Sequence, residues 1–278
     1  MGRFVMSSVV ETAGSQRFCA LLEHTYALVY NLLYRLMLRH DLAAAATRET
    51  YLRAFVGQEK LPPSEDDARA WLLRIASHVA EQNIVKAGAS ISFEQLDETL
   101  RSEATRTDVA GALSGPQRDF LLWELKQGCM TAVVNCLSLG ERVAFVLSVI
   151  LGLSDDEAAR TLGIKTSAYK VRLSRARQKV SDYLAPRCEH VNPGNPCHCP
   201  SRIGVALHKG FIAPPPSTET SLRPAQPFGR YGGDDEPRRD VMAIYQSLPT
   251  PDPPPELRDA MLAEIAAGTW DAMRRPPR

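Results

Sequence analysis

The sequence predicts an all-α protein: two small helical domains joined by a flexible linker, followed by a largely disordered C-terminal tail. Three observations carry that expectation. Apolar residues recur at spacings of three and four through 18–85 and again through 116–184. No stretch alternates apolar and polar residues for long between turn residues, so strand signals are missing. Pro and Gly then crowd the chain after Phe211, as in Pro214, Pro215, Pro216, Pro224, Pro227, Gly229, Gly232 and Gly233, a composition that cannot bury enough apolar surface to fold alone.

The first domain is placed at 18–86. One helical stripe holds Leu21, Leu22, Tyr26, Val29, Leu32, Leu33 and Leu36; a second holds Leu52 and Phe55, and a third Trp71, Leu72, Ile75 and Val79. Pro62 and Pro63, followed by Ser64, Glu65, Asp66 and Asp67, mark a loop and a capped helix start. The linker is placed at 87–115, where Gly88, Ser90, Ser92, Ser102, Thr105, Thr107 and Ser114 make the chain polar. A helix-turn-helix domain follows at 116–185, a Cys/His-rich extension at 186–210 and a Pro-rich tail at 211–278. Two short helical patterns survive in that tail: Val241, Ile244, Tyr245, Leu248, and Leu257, Met261, Leu262, Ile265. The second is opened by Pro253, Pro254 and Pro255 and closed by Gly268, with Trp270 just beyond; at its length it needs a surface to dock on.

Charge narrows the function. The chain of 278 residues carries 33 Lys plus Arg against 32 Asp plus Glu, so any nucleic-acid signal has to be local. It is found at 165–179, which holds Lys165, Lys170, Arg172, Arg175, Arg177 and Lys179 and no acidic residue. Upstream, Ser154 and Glu157 have the spacing of a capping box, with Asp155 and Asp156 in the first turn. Ala159 suits a close helix crossing, Gly163 a turn that needs positive φ, and Ile164 anchors that turn. Tyr169 and Leu173 point inward at i and i+4, which leaves Thr166, Ser167, Lys170, Arg172 and Arg175 on the outer faces. The plain alternative is a solvated basic helix in an ordinary bundle. No Gly-rich phosphate loop, nucleophile motif or carboxylate pair is present, so catalysis is not expected. The chain shows neither a leader pattern nor a long apolar run, which predicts a cytoplasmic protein of a reducing compartment without membrane insertion.

The six Cys do not form a disulfide framework. Cys19, Cys129 and Cys136 are scattered among apolar neighbours, whereas Cys188, His190, Cys197 and Cys199 crowd around a Pro-Gly turn and form a candidate tetrahedral metal site. Zinc is the default ion, His198 an alternative ligand, and reduced, inert cysteines packed in a turn the plain alternative. No cofactor is required.

On these residues a resemblance can be stated. The stretch 137–184, with its GLS, EAA, LGI and K-x-R-L-x-R-A-R pieces, resembles region four of the extracytoplasmic-function (ECF) sigma factors of bacterial RNA polymerase, of the sigma-70 family. The resemblance implies that Lys165, Thr166, Ser167, Lys170 and Arg172 face DNA at the minus-thirty-five element while Arg175 and Arg177 hold its backbone. Two residues depart from the pattern, Lys165 where a Ser or Thr cap is usual and Tyr169 where a smaller β-branched residue is usual. The first domain resembles region two, which implies Arg48, Glu49, Tyr51, Leu52 and Arg53 for binding core polymerase and Arg74 and His78 for DNA at the minus-ten element. Here Ala43 to Ala46 stand where acidic residues are usual. Some relatives carry Cys-rich extensions like the one described above.

The implied function is that of an alternative sigma factor, with core RNA polymerase and promoter DNA as partners and, in addition, an anti-sigma factor or the chain's own C-terminal tail, part of which is similar to segments of anti-sigma proteins. The competing expectations are a degenerate sigma-like adaptor and a helix-turn-helix regulator that binds DNA or polymerase without promoter melting.

Overall fold

The computed structural model describes residues 13–37, 39–88, 91–102, 115–208, 212, 239–248 and 250–270. Among them the protein is all α, as expected, and the one β-type pairing is an isolated bridge between Cys188 and Cys197. The described residues fall into two compact units, one made of 13–86, 156–165 and 251–270, the other of 87–155 and 166–250. Most of the Pro- and Gly-rich stretch, 213–238, and the linker residues 89–90 and 103–114 lie outside the described residues.

In the first unit, α1 (Ala13–Met37) packs on α2 (His40–Val56). The α1 stripe of Phe18, Leu22, Tyr26, Val29 and Leu33 is buried, as are Tyr51, Ala54 and Phe55 of α2. Phe18 meets Tyr51 and Phe55 edge to face, with ring centroids 6.5 and 5.3 Å apart. Helix α3 (Glu65–Ala87) starts where Ser64 accepts a hydrogen bond from the Asp67 N–H at 3.2 Å, with three acidic residues in the first turn on the favourable side of the helix dipole. Leu72, Leu73, Ala76 and Val79 form its buried face, while Trp71 and Ile75 are only half-buried.

The tail contributes α11 (Pro255–Ala266), which lies against α1 and α2 and ends at Gly268 with φ +71°. Met261, Ile265 and Trp270 are its buried anchors. The Tyr26 hydroxyl donates to the Pro254 carbonyl at 2.5 Å, and burial pushes that hydroxyl up to about 12.

In the second unit, α4 (Phe93–Ser102) stands within the segment expected to be a linker. Its start is a capping box: Ser92 N–H donates to Gln95 Oε1 at 2.8 Å and Gln95 N–H to Ser92 Oγ at 3.1 Å. α4 is followed by α5 (Gly115–Asn135) and α6 (Leu139–Phe145), which runs into a single π-type turn at Val146–Ile150. The Ser138 N–H and hydroxyl both reach Glu141 at the start of α6. Helix α6 packs on α8 (Thr166–Leu184), burying Val143, Ala144 and Phe145 on one side and Tyr169, Leu173, Ala176 and Val180 on the other. Short helices α9 (Ile203–His208) and α10 (Val241–Gln246) complete the unit, with Tyr245 of α10 edge-on to Phe145 at 4.8 Å and donating to the Met130 carbonyl.

Candidate nucleic-acid interface

Helix α7 (Asp155–Leu162) ends at Gly163, whose φ of +65° is the left-handed value expected of a glycine in that turn. The Gly163 N–H donates to Arg160 O and the Ile164 N–H to Ala159 O, closing the turn before α8. A Cβ at Gly163 would also stand 3.3 Å from the Arg74 guanidinium, close enough that the arginine would have to shift. Arg74 donates to Thr161 O at 2.9 Å and Arg160 O at 2.6 Å, so it caps the carbonyl end of α7. Glu157, expected to serve a capping box, holds Arg69 at 2.6 Å.

At about 100° per residue, α8 sorts its side chains into distinct faces. Tyr169, Leu173, Ala176 and Val180 form the buried one. Along one side of that face runs an exposed stripe of Ser167, Lys170, Ser174, Arg177 and Gln178, with Arg175 exposed farther around; Lys165 is exposed just before the helix and Thr166 is half-buried at its start. Arg172 lies about 200° around the helix from Lys170 and turns its guanidinium onto Gly140, where an added Cβ would meet Nη1 at 3.1 Å. Lys179 is drawn to the same flank by Glu141, with Nζ 2.8 Å from both carboxylate oxygens. Burial pushes the Glu141 carboxyl up, but the Lys179 and Ser138 hydrogen bonds outweigh it and hold the group below its ordinary value. The structure therefore corrects the outward set: Arg172 packs on the start of α6 instead of sharing the Lys170 face.

Tyr169, the residue out of pattern, has a structural reason to be there. Its hydroxyl donates to Ala144 O at 2.9 Å and meets Ser148 Oγ at 2.6 Å, so the ring and its polar tip both fasten α8 to the α6 segment.

The residues assigned to polymerase binding do not form one open patch. Tyr51 is wholly buried and its hydroxyl pairs with Thr25 at 2.9 Å, which makes it a core residue and removes it from the set. Glu49 pairs with Arg53 at 2.5 Å, and Leu52 is half-buried. Arg48 is held by the tail: it donates to Glu264 at 2.5 Å, its guanidinium carbon lies 5.7 Å from the Trp270 ring centroid, and Trp270 Nε1 donates to the same Glu264 oxygen at 2.5 Å. The hydrogen bonds from Arg48 and then Trp270 hold the Glu264 carboxyl below its ordinary value. Of the two expected minus-ten residues, Arg74 is the α7 cap just described, a correction to its assignment as an open DNA contact, while His78 stays exposed beside Glu81.

The cysteine-histidine cluster forms in the second unit, directly after α8. Cys188 and Cys197 are paired through their backbones, with Cys197 N–H donating to Arg187 O and Glu189 N–H to Cys197 O. Asn195 clamps the turn by donating to Ala185 O at 2.8 Å and Cys188 O at 2.9 Å. Cys199 Sγ lies 3.3 Å from His190 Nε2, and the Glu189, His190 and Cys199 donor atoms are all within 4.8 Å of one another. His198, the alternative ligand, instead turns its Nδ1 to Glu189.

Spacing did not single out Cys129 of α5, whose thiol is pushed up by burial first and then by the neighbouring Cys188 and Cys197. Burial pushes the Cys188 thiol up to about 11 and the His190 imidazole down to about 4, which leaves a neutral ring at pH 7. Nearby Lys126 is lowered by burial to about 8.

With this geometry in place, comparison with known proteins is informative. Residues 127–180 match the family described as Sigma-70, region 4. The ECF RNA polymerase sigma factor SigE of Mycolicibacterium smegmatis is 30% identical over 158 residues, covering 56% of this chain and 57% of that protein. The RNA polymerase sigma factor CnrH of Cupriavidus metallidurans is 28% identical over 137 residues, covering 49% of this chain and 70% of that protein. Among solved structures, the sigma factor RpoE in complex with the anti-sigma factor NepR from Bartonella quintana is similar at a TM-score of 0.41 and 23% identity, covering 61% of this chain and 97% of that one. By sequence the chain is thus similar in part to two sigma factors, and it spans a little over half the length of SigE. No described helix is long and apolar enough to cross a membrane.

Proposed function

Because residues 127–180 belong to the sigma-70 region 4 family, we propose that the protein is a sigma factor that binds core RNA polymerase and directs promoter-specific transcription initiation. In this reading α8 enters the major groove of the minus-thirty-five element and the first domain engages the minus-ten element. The observation that carries it is the exposed Ser167, Lys170, Ser174, Arg177 stripe on a helix whose buried face is fastened by Tyr169. Short hydroxyls and flexible cations on one face suit base edges and phosphates together. The protein itself needs no catalytic group for this role; the polymerase supplies the chemistry.

The test is transcription by core polymerase with and without the purified full chain on a genomic promoter library, with start sites mapped. New starts sharing an upstream element, lost with Lys170→Ala plus Arg177→Ala, support the reading. Duplex binding without polymerase association and without new starts rejects it in favour of a plain regulator.

A second reading draws on the first unit, where Arg48 is held by the tail and Arg74 by the end of α7. Two of the basic residues that the family resemblance assigns to polymerase and the minus-ten element are thus engaged within the protein. This favours a sigma factor restrained by its own C-terminal helix, or a sigma-like adaptor that has lost melting. Deleting 251–278 separates them: released initiation supports restraint, and its continued absence alongside polymerase binding supports the adaptor.

A further inference from the structure

Soft and borderline donors gather after α8: Cys199 and His190 meet through their side chains, the backbones of Cys188 and Cys197 are bridged across the Pro193-Gly194 turn, and the thiol of Cys129 on α5 is buried in the same unit. All four thiols are free of disulfides. Cys199 Sγ and His190 Nε2 stand 3.3 Å apart, a separation suited to two corners of a tetrahedral zinc site, where metal–sulfur and metal–nitrogen bonds run about 2.3 and 2.0 Å.

The surroundings are organised for binding and not only for packing. Glu189 accepts from the Cys199 N–H at 2.5 Å with one oxygen and meets His198 at 2.8 Å with the other, so it orients the loop that carries Cys199 and adds a carboxylate beside the His190 and Cys199 donors. Asn195 ties the turn to Ala185 and Cys188. Behind Cys199 lies a dry apolar wall of Leu121, Leu122, Leu125, Ile203 and Ala206.

We propose that this cluster is a tetrahedral zinc site, with Cys199 and His190 as fixed ligands and the two remaining positions drawn from the thiols of Cys129, Cys188 and Cys197. A site with several thiolates carries net negative charge, and buried Lys126, which interacts with Cys199 and Cys188, supplies a compensating cation. Because Cys129 lies on α5 and Cys188 immediately follows α8, the ion staples the extension to the helix-turn-helix domain. Its function is structural in the sense that a closed tetrahedral site leaves no open position for substrate.

The experiment uses the full chain, purified reduced and stripped with a chelator, then titrated with zinc alone and with cobalt alone. One equivalent of cobalt should bind, with thiolate-to-metal charge transfer and the strong visible bands of tetrahedral coordination, and zinc should displace it. Cys199→Ser and His190→Ala should each weaken zinc affinity by more than about tenfold, and Cys129→Ser should reduce the charge-transfer intensity. Cys136→Ser, a thiol outside the cluster, should leave the spectrum unchanged, and circular dichroism of each variant shows whether its helices survive. Weak octahedral cobalt bands, or a spectrum indifferent to Cys199→Ser in a folded variant, would overturn the site. A spectrum indifferent to Cys129→Ser alone would remove α5 from it. None of these readouts depends on transcription, so the site stands or falls separately from the sigma-factor reading.

Discussion

Trp270→Ala tests how firmly the tail is held on the first unit. Trp270 is fully buried, edge-on to Phe55 at 5.6 Å between centroids, beneath the Arg48 guanidinium and hydrogen-bonded to Glu264. Truncating a buried aromatic of this size costs about 3 to 5 kcal/mol, part of it the edge-to-face contact and part the cavity. The twelve residues of α11 have little stability of their own, and the other buried anchors on this helix are Met261 and Ile265. Each contributes about 1.5 to 3 kcal/mol of burial, so losing Trp270 removes close to half of what holds the helix down. Even the lower figure of about 3 kcal/mol multiplies the open population more than about a hundredfold. Hydrogen exchange followed by mass spectrometry reads this directly: amides of 257–266 should exchange about a hundredfold faster while those of α1 remain slow. If 257–266 stays as protected as in the parent protein, the helix is held by something other than Trp270 and the argument for a releasable tail fails.

The remaining predictions concern the helix-turn-helix region and its supports. Lys170→Ala should weaken duplex binding and reduce the log-log salt slope by about one, while Arg172→Ala, on the flank packed against Gly140, should change the slope far less; affinity measured across a salt series checks both. Glu141→Gln should cost about 1 kcal/mol at pH 7, since half of the Lys179 side chain is exposed and water screens the pair. Because the folded-state carboxyl of Glu141 is depressed, its contribution is present above the unfolded value and is lost as pH falls through the folded one. The difference in denaturation midpoint between parent and variant should therefore shrink on acidification below about pH 4. Gly163→Ala should lower stability by about 1 to 2 kcal/mol, because φ is +65° there and the new Cβ meets Arg74; thermal melts check it, and an unchanged midpoint would mean the turn is not left-handed.

Much was legible from local rules. Helical periodicity located the buried stripes of α1 and α8 but misplaced part of that of α3, where Leu73 and Ala76 are buried and Trp71 and Ile75 only half so; the Ser64 cap and Gly163 turn followed from backbone chemistry, and Gly268 marked the end of α11. The basic segment 165–179 was visible as charge, but its division was not: whether Arg172 and Lys179 face DNA or the protein depends on what α6 brings to that flank, namely Gly140 and Glu141. The same holds for Glu157, whose spacing from Ser154 suggested a local cap but did not show that one of its carboxylate oxygens also holds Arg69, distant in sequence.

The all-α class, the helix-turn-helix with its charged segment, and the crowding of Cys188, His190, Cys197 and Cys199 could be read locally, because periodicity, turn chemistry and ligand spacing act over a few residues. Long-range packing was needed to show that Tyr51 and Arg74 are occupied internally, that α4 docks Asp97 onto Tyr183 and Arg187, and that Arg48 is clasped by Glu264 and Trp270. Each of those depends on residues from 26 to 216 positions apart in sequence meeting at hydrogen-bonding range. No local preference encodes such a meeting; it is set by which buried faces the folded chain brings together.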